Sequence, residues 1–456
     1  MGKRIILSFV FMITFFMISG LILKCPPKIA IAGSIGMIFI VPIIVNPTLG
    51  LVLIAAVNPF QWVFALPQFV SLSRTLGILV ISLWLAHKVA ARESINILGG
   101  DQAKWILGLL AVIFISWVFS VDKMQGYMGS RTLMLVIVLY LMFIDMFNSV
   151  KYVNILIWSI ALSVGLLSLC GLANYFCGGN LFVYSYQPER MYLSGPFPRL
   201  GGFSGNPNGY AMHLLVGITI MIHLLKFAKT VLPKLLVLIF LGTSVAGVFL
   251  SASRAGILGL AIILILYSFR RKDIKSIVIS ALLCGMIFIT FKMIWPSVES
   301  RVVGLTFGGQ DITIQNRINN HMTGLKMFLD HPLTGVGLSN FTRIRFDYEH
   351  DVSSGYRAPH SIYLQILAEL GIFGLICLIG LICCTFKTLR IASKGYRSIG
   401  DFELEEFSKM VMIGIFAYLV VGMFHTYTYD KYFWFLMALA PVLRRLYEQG
   451  QLVKER

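Results

Sequence analysis

The chain has 456 residues, of which 57% are hydrophobic and 13% charged, and its net charge is +18. A soluble domain carries about a quarter charged residues, so these figures exclude an ordinary soluble fold and indicate an all-α polytopic membrane protein. The positive charge falls in short loops between apolar runs, which removes nucleic acid as a partner and points to membrane lipids.

Runs of span length recur at 5–23, 28–45, 48–66, 72–89, 104–121, 131–147, 152–176, 208–226, 233–250, 254–270, 274–294, 361–386, 407–425 and 431–447. The early runs are short, so the expectation is about 12–14 transmembrane helices. The first run has a basic start but is long and lacks a small-x-small cleavage site, so it reads as a span rather than a signal peptide. With the N-terminus inside, the inner loops hold more than half of the 38 Lys and Arg, which places both termini in the cytoplasm. The division that follows is N-terminal membrane helices (1–176), an outer loop (177–207), core membrane helices (208–294), a long extracytoplasmic loop (295–360), C-terminal membrane helices (361–447) and a cytoplasmic tail (448–456). Outer loops of that length are usually functional.

Taken in chain order, the outer side collects unusual residues. Arg199 precedes a Gly-rich run that leads into Asn206, Pro207 and Asn208. That pattern makes tight turns and a helix start, and next to an Arg it can also cradle an anion. Ser253 and Arg254 open the span at 254–270. Arg254 reads either as a snorkelling side chain or as an anion clamp at a helix N-terminus, where free N–H groups and the dipole favour negative charge. Arg317 precedes a short amphipathic helix whose apolar positions are Ile318, Met322, Leu325 and Phe328 or Leu329, stopped by Pro332; the helix lies on the outer membrane surface or caps a cavity. Arg357, His360 and Ser361 stand at the lip of the span 361–386, with Glu369 inside it. An imidazole there titrates near neutrality and can accept a proton from a hydroxyl. Ser361 reads as a cap and Glu369 as a costly intramembrane carboxylate that pairs with an arginine or fixes a neighbour. Tyr427, Tyr429, Asp430 and Lys431 form a polar outer hairpin. The seven cysteines show no CxxC or Cys/His spacing, and no outer carboxylate pair suggests a divalent metal, so neither disulfide, metal nor cofactor is expected.

His360, a Ser, nine residues, Gly371, two residues and Gly374 resemble the signature of the bacterial O-antigen ligase and polymerase family of membrane glycosyltransferases. Arg254 in SASRAG, Arg317 ahead of the HPLTGVG stretch, and the Asn-Pro-Asn turn are also similar to that family's elements. The similarity runs over roughly 195–440. One departure is His321, where the family commonly has Trp. The resemblance implies a donor glycan on undecaprenyl diphosphate, taken at the outer face of the bacterial cytoplasmic membrane and passed to an acceptor hydroxyl with inversion and without metal. It implies Arg254 and Arg317 on the diphosphate and His360 on the acceptor hydroxyl. Arg199, Asn206, Asn208, Ser253, Arg357, Ser361 and Lys431 are the expected substrate-binding residues. The layout resembles a ligase acting on a lipid A-core sugar. A polymerase using the same donor is the alternative, and a flippase would instead set its cations along a central path.

Overall fold

A computed structural model describes residues 42–60, 72–92, 100–177, 200–202, 206–271, 285, 312–348 and 359–454. The expected spans at 5–23 and 28–45 (but for its last four residues) and at 274–294 (but for residue 285) lie outside the described residues, as do Arg199 and Arg357. Every described regular element is an α-helix or a short 3-10 turn. The helices are α1 (Pro47–Val57), α2 (Leu72–Ala91), α3 (Ala103–Val118), α4 (Lys123–Met146), α5 (Val150–Phe176), α6 (Pro207–Phe227) and α7 (Val231–Leu250). They continue with α8 (Arg254–Arg271), α9 (Ile312–Asp330), α10 (Phe341–Ile344), α11 (Ile362–Ser398), α12 (Phe402–Val421) and α13 (Lys431–Lys454). By length and composition α4, α5, α6, α7 and α11 can each cross a bilayer, which makes this a multi-pass membrane protein.

Helix starts follow local chemistry. Asn46, Asp122, Asn206, Ser361 and Asp401 each accept a backbone N–H of the turn they open. Lipid-facing surfaces stay apolar: Phe114 and Phe119 of the α3 end, and Val231 and Leu232 of α7, are exposed. α6 is buried on almost every side, between α5, α7, α8 and α12. Apolar surface drives little association in lipid, so contact depends on close packing of small residues. A Cβ on Gly217 of α6 would fall 2.4 Å from Val164, and one on Gly259 of α8 would fall 2.5 Å from Leu215.

Ion pairs tie the helices at the end that carries the basic loops. Asp145 of α4 takes Trp84 Nε1 at 2.8 Å and Lys88 at 3.0 Å, both from α2. Glu406 of α12 takes Lys226 of α6 at 3.1 Å and Arg270 of α8. Asp145, which the sequence placed near an inner helix end, is thereby a structural anchor.

α11 carries the decisive irregularity. Gly371, with φ 68° and ψ −169°, splits it into 362–370 and 372–398. The loop after α9 fills the break: Val336 N–H donates to Ala368 O at 2.9 Å, Gly337 N–H to Glu369 O at 3.0 Å, and Ile372 N–H to Pro332 O at 2.9 Å. A Cβ on Gly371 would sit 2.6 Å from Leu333 O. This conformation is close to glycine-only, so Gly371→Ala should lower unfolding free energy in detergent by about 3 kcal/mol or more. Gly400→Ala, at φ +76° but in open space, should cost only about 1 kcal/mol. Equal melting shifts for the two variants would contradict this account of the break.

Candidate functional site

At the end opposite the basic loops, two helix N-termini meet. Asn206 Oδ1 accepts from Asn208 N–H at 3.0 Å and Gly209 N–H at 3.4 Å, which opens α6. Asn208 Oδ1 in turn accepts from Ser253 Oγ at 2.7 Å. Ser253 Oγ accepts Gly256 N–H at 3.1 Å and so caps α8. Ser251 Oγ accepts Ser253 N–H at 3.2 Å, and Leu200 N–H donates to Leu250 O at 3.0 Å, holding the preceding loop against the turn. Ala252 bends the turn at φ +47°. The outcome is a rigid knot in which Ser251 and Ser253 are buried and Arg254 is exposed on the first turn of α8. A cation at a helix N-terminus opposes the dipole. Among the described residues Arg254 makes no ion pair that offsets this. The arrangement suits a bound anion, which both the N–H groups and the guanidinium attract.

His360 sits on a second piece of strained backbone. Its φ is +55°, uncommon for a residue with a side chain. Immediately after it, Ser361 Oγ accepts Leu364 N–H at 3.4 Å, and Ile362 N–H donates to Gly422 O at 2.8 Å. The start of α11 is thereby pinned to the end of α12. Ser361 serves as the expected cap. The His360 ring lies edge-to-face against His425, with 6.1 Å between centroids, and His425 lies 6.2 Å from the Tyr427 ring. The Tyr427 hydroxyl presses on Gly209, where a Cβ would fall 2.4 Å from it. Through these rings His360 is connected to the first turn of α6, and from there to Asn208, Ser253 and Arg254.

Arg317 stands on α9, which packs against α11. Gly324 packs on the Leu364 side chain, one turn beyond His360. The buried face of α9 consists of Asn320, Thr323, Gly324 and Met327, with half-buried Arg317 on its flank. The apolar positions Ile318, Met322, Leu325 and Leu329 point outward. The helix is therefore reversed relative to a soluble amphipathic helix, with polar residues inward and an apolar stripe outward. Partial burial and the Arg317 guanidinium hold the His321 imidazole below its usual range. The α9–α10 hairpin closes on a small core of Met327, Val336, Phe341, Ile344 and Ala368. A Tyr348–Asp330 hydrogen bond fastens it, and burial followed by that bond pushes the Tyr348 hydroxyl up to about 12.

Glu369 is 2% exposed and holds this hairpin in place; among the described residues it forms no ion pair with an arginine. Its Oε1 accepts Phe341 N–H at 3.4 Å and its Oε2 accepts Gln365 Nε2 at 3.1 Å. Gln365 Oε1 accepts Thr428 Oγ1 at 2.7 Å, and Ser116 Oγ donates to Glu369 O at 2.8 Å. Asn340 completes the seam: its Nδ2 donates to Ser120 Oγ at 2.6 Å and its Oδ1 accepts Asp122 N–H at 3.2 Å. Lys431 donates to Asn58 Oδ1 at 3.4 Å.

Two contacts escaped the sequence reading. One is His425. The other is the pair of His213 Nε2 on α6 with Asp430 Oδ2 at 2.8 Å. Asp430 Oδ1 also accepts Tyr432 N–H at 2.8 Å. The only signal for His425 was its place in the alternating His-x-Tyr-x-Tyr hairpin.

Residues 212–379 match the family model described as O-antigen ligase. The match takes in Arg254, Arg317, His360, Gly371 and Gly374, and leaves Asn206, Asn208 and Lys431 outside it. No curated protein sequence matches the chain.

The His213–Asp430 contact makes a prediction about pH. Burial pushes the Asp430 carboxyl up, but the His213 ring, its hydrogen bond, Lys431 and the Tyr432 N–H outweigh it and hold the carboxyl below its ordinary range. A lowered carboxylate stabilises the fold above its unfolded value of about 3.9 and loses that contribution as pH falls through the folded value. Asp430→Asn should therefore melt below wild type at pH 6, and the gap should close below about pH 4. A gap of constant size from pH 6 to pH 3 would exclude this linkage. In the same preparation, Glu369→Ala should leave buried N–H groups without an acceptor, at a cost of about 1–3 kcal/mol each. Amide exchange at 335–341 should then accelerate more than exchange in α5 or α6.

Proposed function

From the assignment of residues 212–379 to the O-antigen ligase family, whose members join or extend glycans, we propose that this chain transfers a glycan from an undecaprenyl-diphosphate carrier to an acceptor hydroxyl at the extracytoplasmic face of the membrane. The observation that carries the reading is the knot joining the N-termini of α6 and α8, with Arg254 exposed on it and His360 connected to it through His425 and Tyr427. A diphosphate leaving group gains negative charge as the glycosidic bond breaks. Preorganised donors aimed at that charge stabilise the transition state more than the ground state. Arg254, aided by the free N–H groups of its helix start, takes the diphosphate. Arg317, on the inward flank of α9, is the second clamp. His360 accepts the proton of the acceptor hydroxyl as that oxygen attacks the anomeric carbon from the face opposite the diphosphate, with inversion. The two arginines supply the charge neutralisation, so the reaction is metal-independent. Asn206, Asn208, Ser253 and Ser361 act on the substrate through the backbone that they hold.

The acceptor is a lipid A-core sugar in the ligase reading and a growing carrier-linked chain in the polymerase reading. Arg254→Ala, Arg317→Ala and His360→Ala should each abolish transfer while the proteins remain folded in membranes. Arg254→Lys should also fail, because an ammonium does not grip a diphosphate bidentately. EDTA should leave the rate unchanged. Normal transfer by His360→Ala removes the base, and inhibition by EDTA that a divalent metal reverses removes the metal-free reaction. In a strain lacking the protein, long carrier-bound glycan identifies a ligase and single carrier-bound repeats identify a polymerase. Repeats held on the cytoplasmic leaflet overturn both in favour of a flippase.

A further inference from the structure

At the other end of the bundle, α3, α4, α11 and α13 enclose a cavity of about 340 Å³, within the size range of small-molecule sites. Its lining includes Pro441, which stands inside α13 and interrupts the helix ladder there. Arg444 lies thirteen residues along α13 from Lys431, about 20 Å by helix rise, so the cavity lies at the depth of the leaflet on the basic face.

Its lining is graded. The floor is neutral and internally satisfied: Tyr140 OH and Gln102 Oε1 are hydrogen-bonded, and Gln102 Nε2 donates to Thr385 Oγ1 at 2.8 Å. The wall holds Arg445, whose Nη2 donates to Phe147 O at 2.7 Å while its Nε is buried without an acceptor. The mouth holds two half-exposed carboxylates. Glu448 Oε1 takes Arg444 Nε at 2.8 Å and Asp101 Oδ2 takes Arg444 Nη1 at 3.5 Å. Exposed pairs of this kind contribute little and exchange readily. Arg445 lines the cavity, and a guanidinium there suits an oxyanion; the rim carboxylates hold one cation already, Arg444, and can exchange it for another. The apolar side of the lining, with Ile106, Leu141 and Ile144, suits acyl chains.

We propose that this cavity holds the phosphoethanolamine-type headgroup of a phospholipid, with its phosphate on Arg445 and its ammonium between Asp101 and Glu448. The ammonium takes the place of Arg444 between the two carboxylates and releases that guanidinium to the phosphate, whereas a purely anionic headgroup that drew Arg444 away would leave both carboxylates without a cation, so the site selects the zwitterion. None of these groups belongs to the proposed transfer site, and the inference stands or falls without it.

The full-length protein in detergent is titrated with short-chain phosphatidylethanolamine, short-chain phosphatidylglycerol, free phosphoethanolamine and inorganic phosphate. Retained ligand is counted by native mass spectrometry and melting temperature is followed in parallel. Phosphatidylethanolamine should be retained best, and Arg445→Gln should weaken it about tenfold, the equivalent of one lost charge-assisted hydrogen bond. The double variant Asp101→Asn/Glu448→Gln should move the preference toward phosphatidylglycerol. Ala103→Leu, which narrows the mouth and leaves every charge in place, should weaken both lipids. Equal retention of the two lipids by wild type overturns the selection, and equal stabilisation by free phosphoethanolamine or phosphate overturns the lipid as source. Unchanged retention in both Arg445→Gln and Ala103→Leu overturns the site.

Discussion

A helix interrupted near the rim of a membrane leaves carbonyls and an N–H without partners, and lipid offers none. The break at Gly371 is tolerated because the loop 332–337 supplies both kinds of group. Most of the outer architecture depends on this exchange. It fixes the height of α9 against α11 and brings Phe341 N–H to the Glu369 carboxylate. It also leaves the segment 362–370 as a short separate rod, with His360 at its tip, where the Ile362 N–H bond to Gly422 O holds it to α12. Without the hydrogen bonds at 336, 337 and 372, the loop after α9 has no fixed register against the first segment of α11.

The two ends of the bundle use charge in opposite ways. At the basic end, Lys88, Lys226 and Arg270 are each paired to a carboxylate of a neighbouring helix. Burying such charges is costly, and pairing makes it tolerable while setting helix register. At the other end Arg254 stands exposed on a helix N-terminus, where the local dipole repels it. A structural role is well served by the first arrangement and poorly by the second. The contrast supports reading Arg254 as a group suited to an anion.

Much of the fold was legible in sequence because membrane helices obey one-dimensional rules. Span lengths, caps at Asn206 and Ser361, and the placing of basic loops all follow from local composition. The Ser253 cap was legible for the same reason. What was hidden lies in contacts between distant segments. Glu369 was expected to pair with an arginine or to fix a neighbouring element, and it does the second: beside Gln365, its partner is a backbone N–H some thirty residues earlier, and backbone donors leave no trace in sequence. The apolar stripe of α9 was visible as Ile318, Met322, Leu325 and Leu329, but periodicity alone does not say whether a stripe faces protein or lipid. It faces outward here because Gly324, small enough to sit on Leu364, lies on the opposite face. His425 had only its place in the alternating hairpin as a signal, and its contact became visible when the hairpin folded back on His360.

The ten residues between His360 and Gly371 act as both a ruler and a protractor. Each residue of helix adds about 1.5 Å of height and about 100° of rotation. The Gly371 break sets one end of this measure and the Gly422 clasp sets the other. Removing a single residue between them would lower His360 by only that small step, yet would swing it about a quarter-turn around the bundle. Spacing in this segment is therefore quantised: changes of residue type can be absorbed, whereas changes of length re-aim the imidazole altogether.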